Sequence, residues 1–574
     1  MATTATTKPK PAATGPRAAT RAALDVMLTD AAVERGGSRR FLQPNAAAKA
    51  VGGLARHPDR VARRARGLGS ELARVVAGRS EVAPPKGDRR FADRGWHDNW
   101  LLHRLMQAYL ALGDTVDELI TDAELSWKAE RQARFAAGNV LDALAPTNYP
   151  WSNPAVIREI VDTGAANLVR GARRFARDIS RSPRLPATVD TTKFEVGRNL
   201  ALTPGSVVLH TDVFELIQYQ PQTEQVREVP LLFVPPTINK YYVLDLAPGR
   251  SMVEHLVAQG QQVFMLSWRN PDEAHGHFDL DTYAQAVAQA RAAVAQITGQ
   301  RAVHLNAVCS GGIITSGLLG HLAAAGKLSE VASLTLLVCA LDNERAGTTS
   351  ALTSREVAAA AIAESARKGY LDGRTLAGVF AWLRPNDLIW GYVVNNYLLG
   401  KNPPAFDILY WNQDTVRLAA GLHRDFIRLA LDNSITRPGG LTTLATPVDL
   451  GAVDVDSYIV AGSNDHIVPW ENAYRSTSLL GGESRFVLST SGHIQALINP
   501  PSPESRSSYR VADDNPVDTD AWLQQAATKQ GSWWTDYVEW LQARSGELKA
   551  APKRLGSDEY KATAKAPGTY VHAV

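Results

Sequence analysis

Cys309, one of only two cysteines in this 574-residue chain, has the surroundings of a nucleophile. It lies in Ala302–Gly320, AVHLNAVCSGGIITSGLLG, where the apolar run before it reads as a buried strand and Ile313–Leu322 as a helix. A strand that turns sharply into a helix around one reactive side chain is crowded, so small residues are needed two places before and after that side chain. Ala307 and Gly311 stand there, and Gly312 adds room. A thiolate exchanges thioesters readily when a base or a helix N-terminus lowers its pKa, and the following helix supplies such a terminus. Taken alone, Cys309 also fits a buried structural cysteine.

A nucleophile on such a turn needs a histidine and an acid, which in an α/β-hydrolase arrangement follow later in the chain, each after a late strand. Ser457–Ala461 reads as a strand entering a loop that carries Asp465, and Arg485–Ser489 as the next strand, with His493 in the loop beyond. The order Cys309, Asp465, His493 is the one that arrangement requires. His493 is expected to take the thiol proton, and Asp465 to fix the imidazole tautomer and stabilise its cation. His466 is the other candidate base, although a side chain next to the acid points elsewhere unless the loop folds back. An oxyanion hole is expected from the backbone N–H of Ser310 and one from the loop after Leu231–Val234. Pro235 and Pro236 have no N–H, so Thr237 or Ile238 must donate.

The elements that would hold these residues alternate short apolar runs with helical stretches from about Phe194 onward, the mark of a mostly parallel sheet. Candidate strands are Val207–His210, Leu216–Tyr219, Leu231–Val234, Gln262–Trp268, Val303–Val308, Leu334–Cys339, Ser457–Ala461 and Arg485–Ser489. The expected class is α/β: an α/β-hydrolase fold with an inserted helical cap, preceded by a mainly helical N-terminal domain. Residues 1–21 are expected to be a disordered tail, 22–185 the helical domain, and 190–574 the catalytic domain. Between about 340 and 444 the strand rhythm stops in a helical, aromatic-rich stretch (Phe380, Trp382, Trp390, Tyr392, Tyr397, Tyr410, Trp411), read as the cap. Around the expected helix Phe91–Leu112, apolar residues recur at helical spacing: Trp96, Trp100, Leu101, Leu105 and Tyr109.

A composition 45% hydrophobic and 21% charged is that of a globular protein, and two cysteines make no disulfide framework. No run approaches the roughly 18 apolar residues that span a bilayer, and MATTATTKPKPAATGPRAAT lacks an apolar signal core. A cytoplasmic protein is expected. Net charge is +3, yet residues 1–90 hold 18 Lys/Arg against 7 Asp/Glu. That basic front end suits a solvated arm or an anionic surface, and no aromatics interleave with it as in a single-strand nucleic-acid binder. The 13 histidines show no zinc-ligand spacing, and no glycine-rich phosphate loop stands out, so neither a metal nor a nucleotide cofactor is expected.

Longer motifs carry a resemblance. PTNYPWSNP (146–154), FEVGRN (194–199), VPPTINKYYVLDL (234–246), SWRNP (267–271), LRPNDLIW (383–390), VVNNYLLG (393–400), FDILYWNQD (406–414), DHIVPW (465–470) and SGHIQALINPP (491–501) resemble, in this order, the single-subunit polyhydroxyalkanoate synthases. The resemblance implies an acyltransferase that polymerises (R)-3-hydroxyacyl-CoA into polyester and releases coenzyme A through an acyl-cysteine. Cys309, Asp465 and His493 match the family's catalytic positions, and Trp411 an aromatic position associated with the site and the subunit contact. It further implies a homodimer at the surface of a polyester granule with its associated proteins, with no nucleic acid and no membrane span. Thr237 and Ala307 depart from the Cys and Gly often found there. A Cys-dependent esterase or depolymerase of the same fold, and a non-catalytic granule scaffold, are the competing readings.

Overall fold

A computed structural model of the chain describes residues 44–181, 183–344 and 355–574. The expected tail 1–21, the front of the expected helical domain up to 43, and residues 345–354 and the Phe380 side chain of the expected cap lie outside the described residues. The chain divides into two compact units.

Among the described residues the first unit comprises those up to Ala123, those of Ala136–Ala187 and Gly378–Asn402. Its described part is helical: Pro58–Val76, Trp100–Asp122, Pro154–Thr163 and Ala166–Ile179 are its main helices. Two of them start on asparagine caps. Asn99 Oδ1 accepts from the Leu101 and Leu102 amides, and Asn153 Oδ1 from those of Ala155 and Val156. Asn99 also changes the expected apolar stripe. It is extended (φ −91°, ψ 115°), so Trp96 belongs to a separate turn, Gly95–Asp98, and the helical phase restarts after it. The restarted helix buries Leu102, Met106 and Ala111, while Trp100 (66% exposed), Leu101 and Leu105 face out.

Gly378–Asn402 is distant in sequence but packs within this unit. Asn386 Nδ2 donates to Asp142 Oδ1 (2.6 Å), Asn167 Nδ2 to the Leu398 carbonyl (2.7 Å), and Tyr397 Oη to Asp178 Oδ2 (2.9 Å). Gly171 lies so close that a Cβ there would overlap the Tyr397 carbonyl. Asn386–Trp390 and Val393–Leu398 are π-helical turns, a form that interrupts the α-helical ladder and is often found near functional sites.

The second unit holds the remainder and is built on one sheet of eleven strands among the described residues. In chain order these are β1 (Gly205–His210), β2 (Phe214–Tyr219), β3 (Leu231–Val234), β4 (Val263–Trp268), β5 (Val303–Val308), β6 (Val331–Leu337), β7 (Ser457–Gly462), β8 (Ser484–Ser489), β9 (Ser508–Val511), β10 (Ala527–Gln530) and β11 (Ala564–Lys565). Their order across the sheet is β10-β9-β8-β7-β6-β5-β3-β4-β2-β1-β11. The six central strands, β8 to β4, are parallel and the flanking ones antiparallel. Side chains alternate between two buried faces, as a sheet covered on both sides requires. Leu232, Leu305, Leu334 and Ile459 enter one core with helices Leu280–Thr298 and Ser310–Ala324. Phe233, Val308, Leu337 and Val460 enter the other with Met252–Ala258 and Trp533–Gln542.

The fold is the α/β-hydrolase arrangement expected from the sequence. One strand ends earlier than expected: β6 stops at Leu337, not Cys339, because Val338 has φ +47°, a left-handed conformation unusual for a β-branched residue. Its amide is satisfied by the Val460 carbonyl on β7 (2.8 Å).

Candidate active site

The C-terminal ends of β5, β7 and β8 carry Cys309, Asp465 and His493, on the edge where open parallel sheets place their sites. Cys309 sits between β5 and the helix Ser310–Ala324 with φ +50° and ψ −118°, a sparsely populated conformation for a non-glycine residue and the strain expected of a nucleophile turn. The surroundings hold it there. The Cys309 amide donates to the Leu337 carbonyl (2.9 Å) and its carbonyl accepts from Gly312 (2.9 Å). The small residues behave as the motif requires: a Cβ on Gly311 would overlap the Val234 and Pro235 carbonyl oxygens, and one on Gly312 would lie 2.5 Å from Cys339 Sγ. Ala307 is fully buried within β5.

The acid and histidine loops are tied to one another. The Ser463 amide donates to the Ser489 carbonyl (2.8 Å) and the Asn464 amide to that of Ser491 (3.1 Å). Asp465 Oδ1 accepts from the amides of Ile467 and Val468 (2.8 and 2.9 Å), which leaves Oδ2 aimed at His493 Nδ1, 2.6 Å away. The His493 side chain is also hydrogen-bonded to that of Cys309. His493 and Asp465 are almost fully buried. Burial pulls the His493 pKa down, but the Asp465 charge and hydrogen bond, with those of Cys309, outweigh it and carry it up to about 10. The structure thus brings Cys309, His493 and Asp465 together, and His493 engages the Asp465 carboxylate.

The loop after β3 lies beside the nucleophile. The Thr237 amide donates to Ser310 Oγ (2.9 Å), whose hydroxyl is also 3.2 Å from Thr237 Oγ1. That bond engages the amide of Thr237, one of the two residues expected to donate. Trp411 is buried (3% exposed) against the same loop and donates through Nε1 to the Lys240 carbonyl (2.7 Å). Three residues outside the expected set gather there. Asp414 accepts from Lys240 Nζ (2.6 Å) and Tyr242 Oη (2.8 Å). Their motifs, VPPTINKYYVLDL and FDILYWNQD, are conspicuous in the sequence, but pairing across some 170 residues has no local signature. The second cysteine, Cys339, lies under Gly312, and burial, with the Cys309 charge nearby, holds its thiol well above the ordinary range.

Comparison with known proteins agrees with this fold. Residues 87–256 match the family described as "Poly-beta-hydroxybutyrate polymerase (PhaC) N-terminus", and residues 230–500 the alpha/beta hydrolase fold. Poly(3-hydroxyalkanoate) polymerases 1 and 2 of Ectopseudomonas oleovorans are 44% and 45% identical, each over 90% of this chain and 92% of their own. The poly(3-hydroxyalkanoate) polymerase subunit PhaC of Cupriavidus necator is 41% identical over 87% of this chain and 85% of its own. With identity at this level along nearly the whole length and the elbow, acid and histidine in place, the chain belongs to the poly(3-hydroxyalkanoate) polymerase family.

Proposed function

We propose that the chain is an acyltransferase that polymerises (R)-3-hydroxyacyl-CoA into polyester, with Cys309 as nucleophile, His493 as acid and base, and Asp465 as the group that holds His493. The observation that carries this reading is the buried relay from Asp465 Oδ2 through His493 to Cys309 at the ends of three parallel strands. Cys309 Sγ attacks the thioester carbonyl. The C–S bond to coenzyme A breaks, the proton taken by His493 passes to the departing thiolate, and the acyl group rests on Cys309. His493 then takes the proton of an incoming 3-hydroxyl, whose oxygen attacks the acyl-cysteine; an ester bond forms and the Cys309 thiolate is released. The amides of Ser310 and Ile238 face the oxygen that becomes anionic in both steps.

Attachment to a granule surface, in the cytoplasm and as a homodimer, belongs to the same proposal. Its support is the family resemblance and the outward Trp100, Leu101, Trp151 and Val161 of the helical unit, an apolar exposure that suits a surface-active partner. Among the described residues no helix is long and apolar enough to cross a membrane.

The test is to incubate the protein with (R)-3-hydroxybutyryl-CoA and (R)-3-hydroxyoctanoyl-CoA, following thiol release and insoluble polyester together, beside Cys309→Ala. Matching thiol and polymer, both lost in the variant, support the polymerase. Thiol release with only free hydroxy acid would replace it with a Cys-dependent hydrolase.

A further inference from the structure

The loop that presents the oxyanion donor is not held by its own hydrogen bonds alone. Residues 411–415 fasten it from outside at four points. Asn239 forms an antiparallel bridge with Thr415, directly beside Ile238. Trp411 Nε1 donates to the carbonyl of Lys240 at 2.7 Å. The Lys240 ammonium, its side chain only 5% exposed, reaches Asp414 Oδ1 at 2.6 Å. Tyr242 Oη donates to Asp414 Oδ2 at 2.8 Å. On the other side of the donor, Thr237 N–H is held by Ser310 Oγ and the Pro235 carbonyl by Trp268 Nε1 at 3.0 Å. The Ile238 amide is therefore strung between two fixed points, and at one of them two of the four fastenings meet on a single carboxylate.

We propose that Asp414, through Lys240 and Tyr242, is the positioning residue of the oxyanion loop: it touches no reacting atom but sets where the Ile238 amide points. A buried ammonium must be paired or leave for water. When Asp414 is neutralised, the Lys240 side chain is drawn toward solvent and takes the 238–242 backbone with it. Stabilisation of a developing oxyanion depends on the donor's place to within fractions of an ångström, whereas the ground-state thioester and the thiol itself do not depend on it.

This inference rests on Cys309 acting as the nucleophile, and the experiment separates the two. Asp414→Asn, Lys240→Gln, the double variant and Tyr242→Phe are assayed for kcat and KM with acyl-CoA, and for the rate at which iodoacetamide alkylates Cys309, a reaction with no oxyanion. Expected for Asp414→Asn is a fall in kcat of about 10- to 100-fold, with KM and the alkylation rate within about twofold of the parent. The double variant, whose two amides can pair without charge, regains part of the loss. Tyr242→Phe, which leaves the ion pair, falls several-fold and serves if Asp414→Asn does not fold. Unchanged kcat in Asp414→Asn or in Tyr242→Phe, alkylation slowed in step with turnover, or a double variant as slow as the single one would overturn the proposal. Full turnover by Cys309→Ala would instead overturn the nucleophile assignment beneath it.

Discussion

The Cys309 backbone at φ +50° lies in a turn where neither Gly311 nor Gly312 has room for a Cβ. Gly312 is the most exacting case: its missing Cβ is the space that Cys339 Sγ fills. Gly312→Ala must displace either the nucleophile helix or Cys339, and overpacking of this kind costs about 1–3 kcal/mol; it is read as a lowered midpoint in denaturant with an unchanged slope. Cys309→Ala should lose thiol release by a factor of roughly a thousand or more, since a triad acts as a unit. His493 offers a pH test. Its folded pKa, about 10, lies above the ordinary 6.5. The stability its pairing contributes is therefore complete below about pH 6.5 and is lost as pH rises through about 10. The gap in melting temperature between the parent and Asp465→Asn should narrow across that window, and a constant gap would exclude the pairing. At this scale the sequence was readable where chemistry dictates residue type: the small residues around Cys309 and the strand-then-loop settings of Asp465 and His493. The Thr237 amide was not, because its engagement by Ser310 Oγ depends on how two loops meet.

Elements were readable in proportion to how apolar they are. The runs Leu231–Val234 and Val303–Val308 coincide with β3 and β5, since a strand buried on both faces is a continuous apolar run. The edge strands left no such trace. Residues of β10, Ala527–Gln530, are all exposed, and β11 is two residues long, so their existence is set by pairing with β9 and β1 and not by their own composition. The helix Trp100–Asp122 shows the converse failure, an apolar spacing whose phase was reset by the Asn99 cap. What that reset exposes can be tested directly. Trp100→Gln combined with Trp151→Gln should weaken sedimentation with polyester particles several-fold, because about 25 cal/mol is lost per Å² of apolar contact. Turnover of soluble acyl-CoA should remain that of the parent. Equal sedimentation would remove these side chains from the attachment surface.

On the scale of the molecule, the sequence suggested a chain divided once, near residue 185, with an aromatic cap inserted later. The structure instead groups Gly378–Asn402 with the helices that precede Ala187. The aromatic side chains of that stretch follow the same division: Trp382 and Ile389 form a small core with Leu185, whereas Trp411 joins the core of the sheet. No periodicity reports such a grouping, because what identifies it is a set of hydrogen bonds between residues more than 200 positions apart. The grouping also bears on descent. Gly171 can accept no side chain while Tyr397 holds its place, and Asn167, Asp178 and Asp142 each complete a bond begun between 386 and 398. Within this lineage the two stretches should therefore change in concert, and a hybrid that inherits its helices from one parent and residues 378–402 from another should express poorly until both come from the same one.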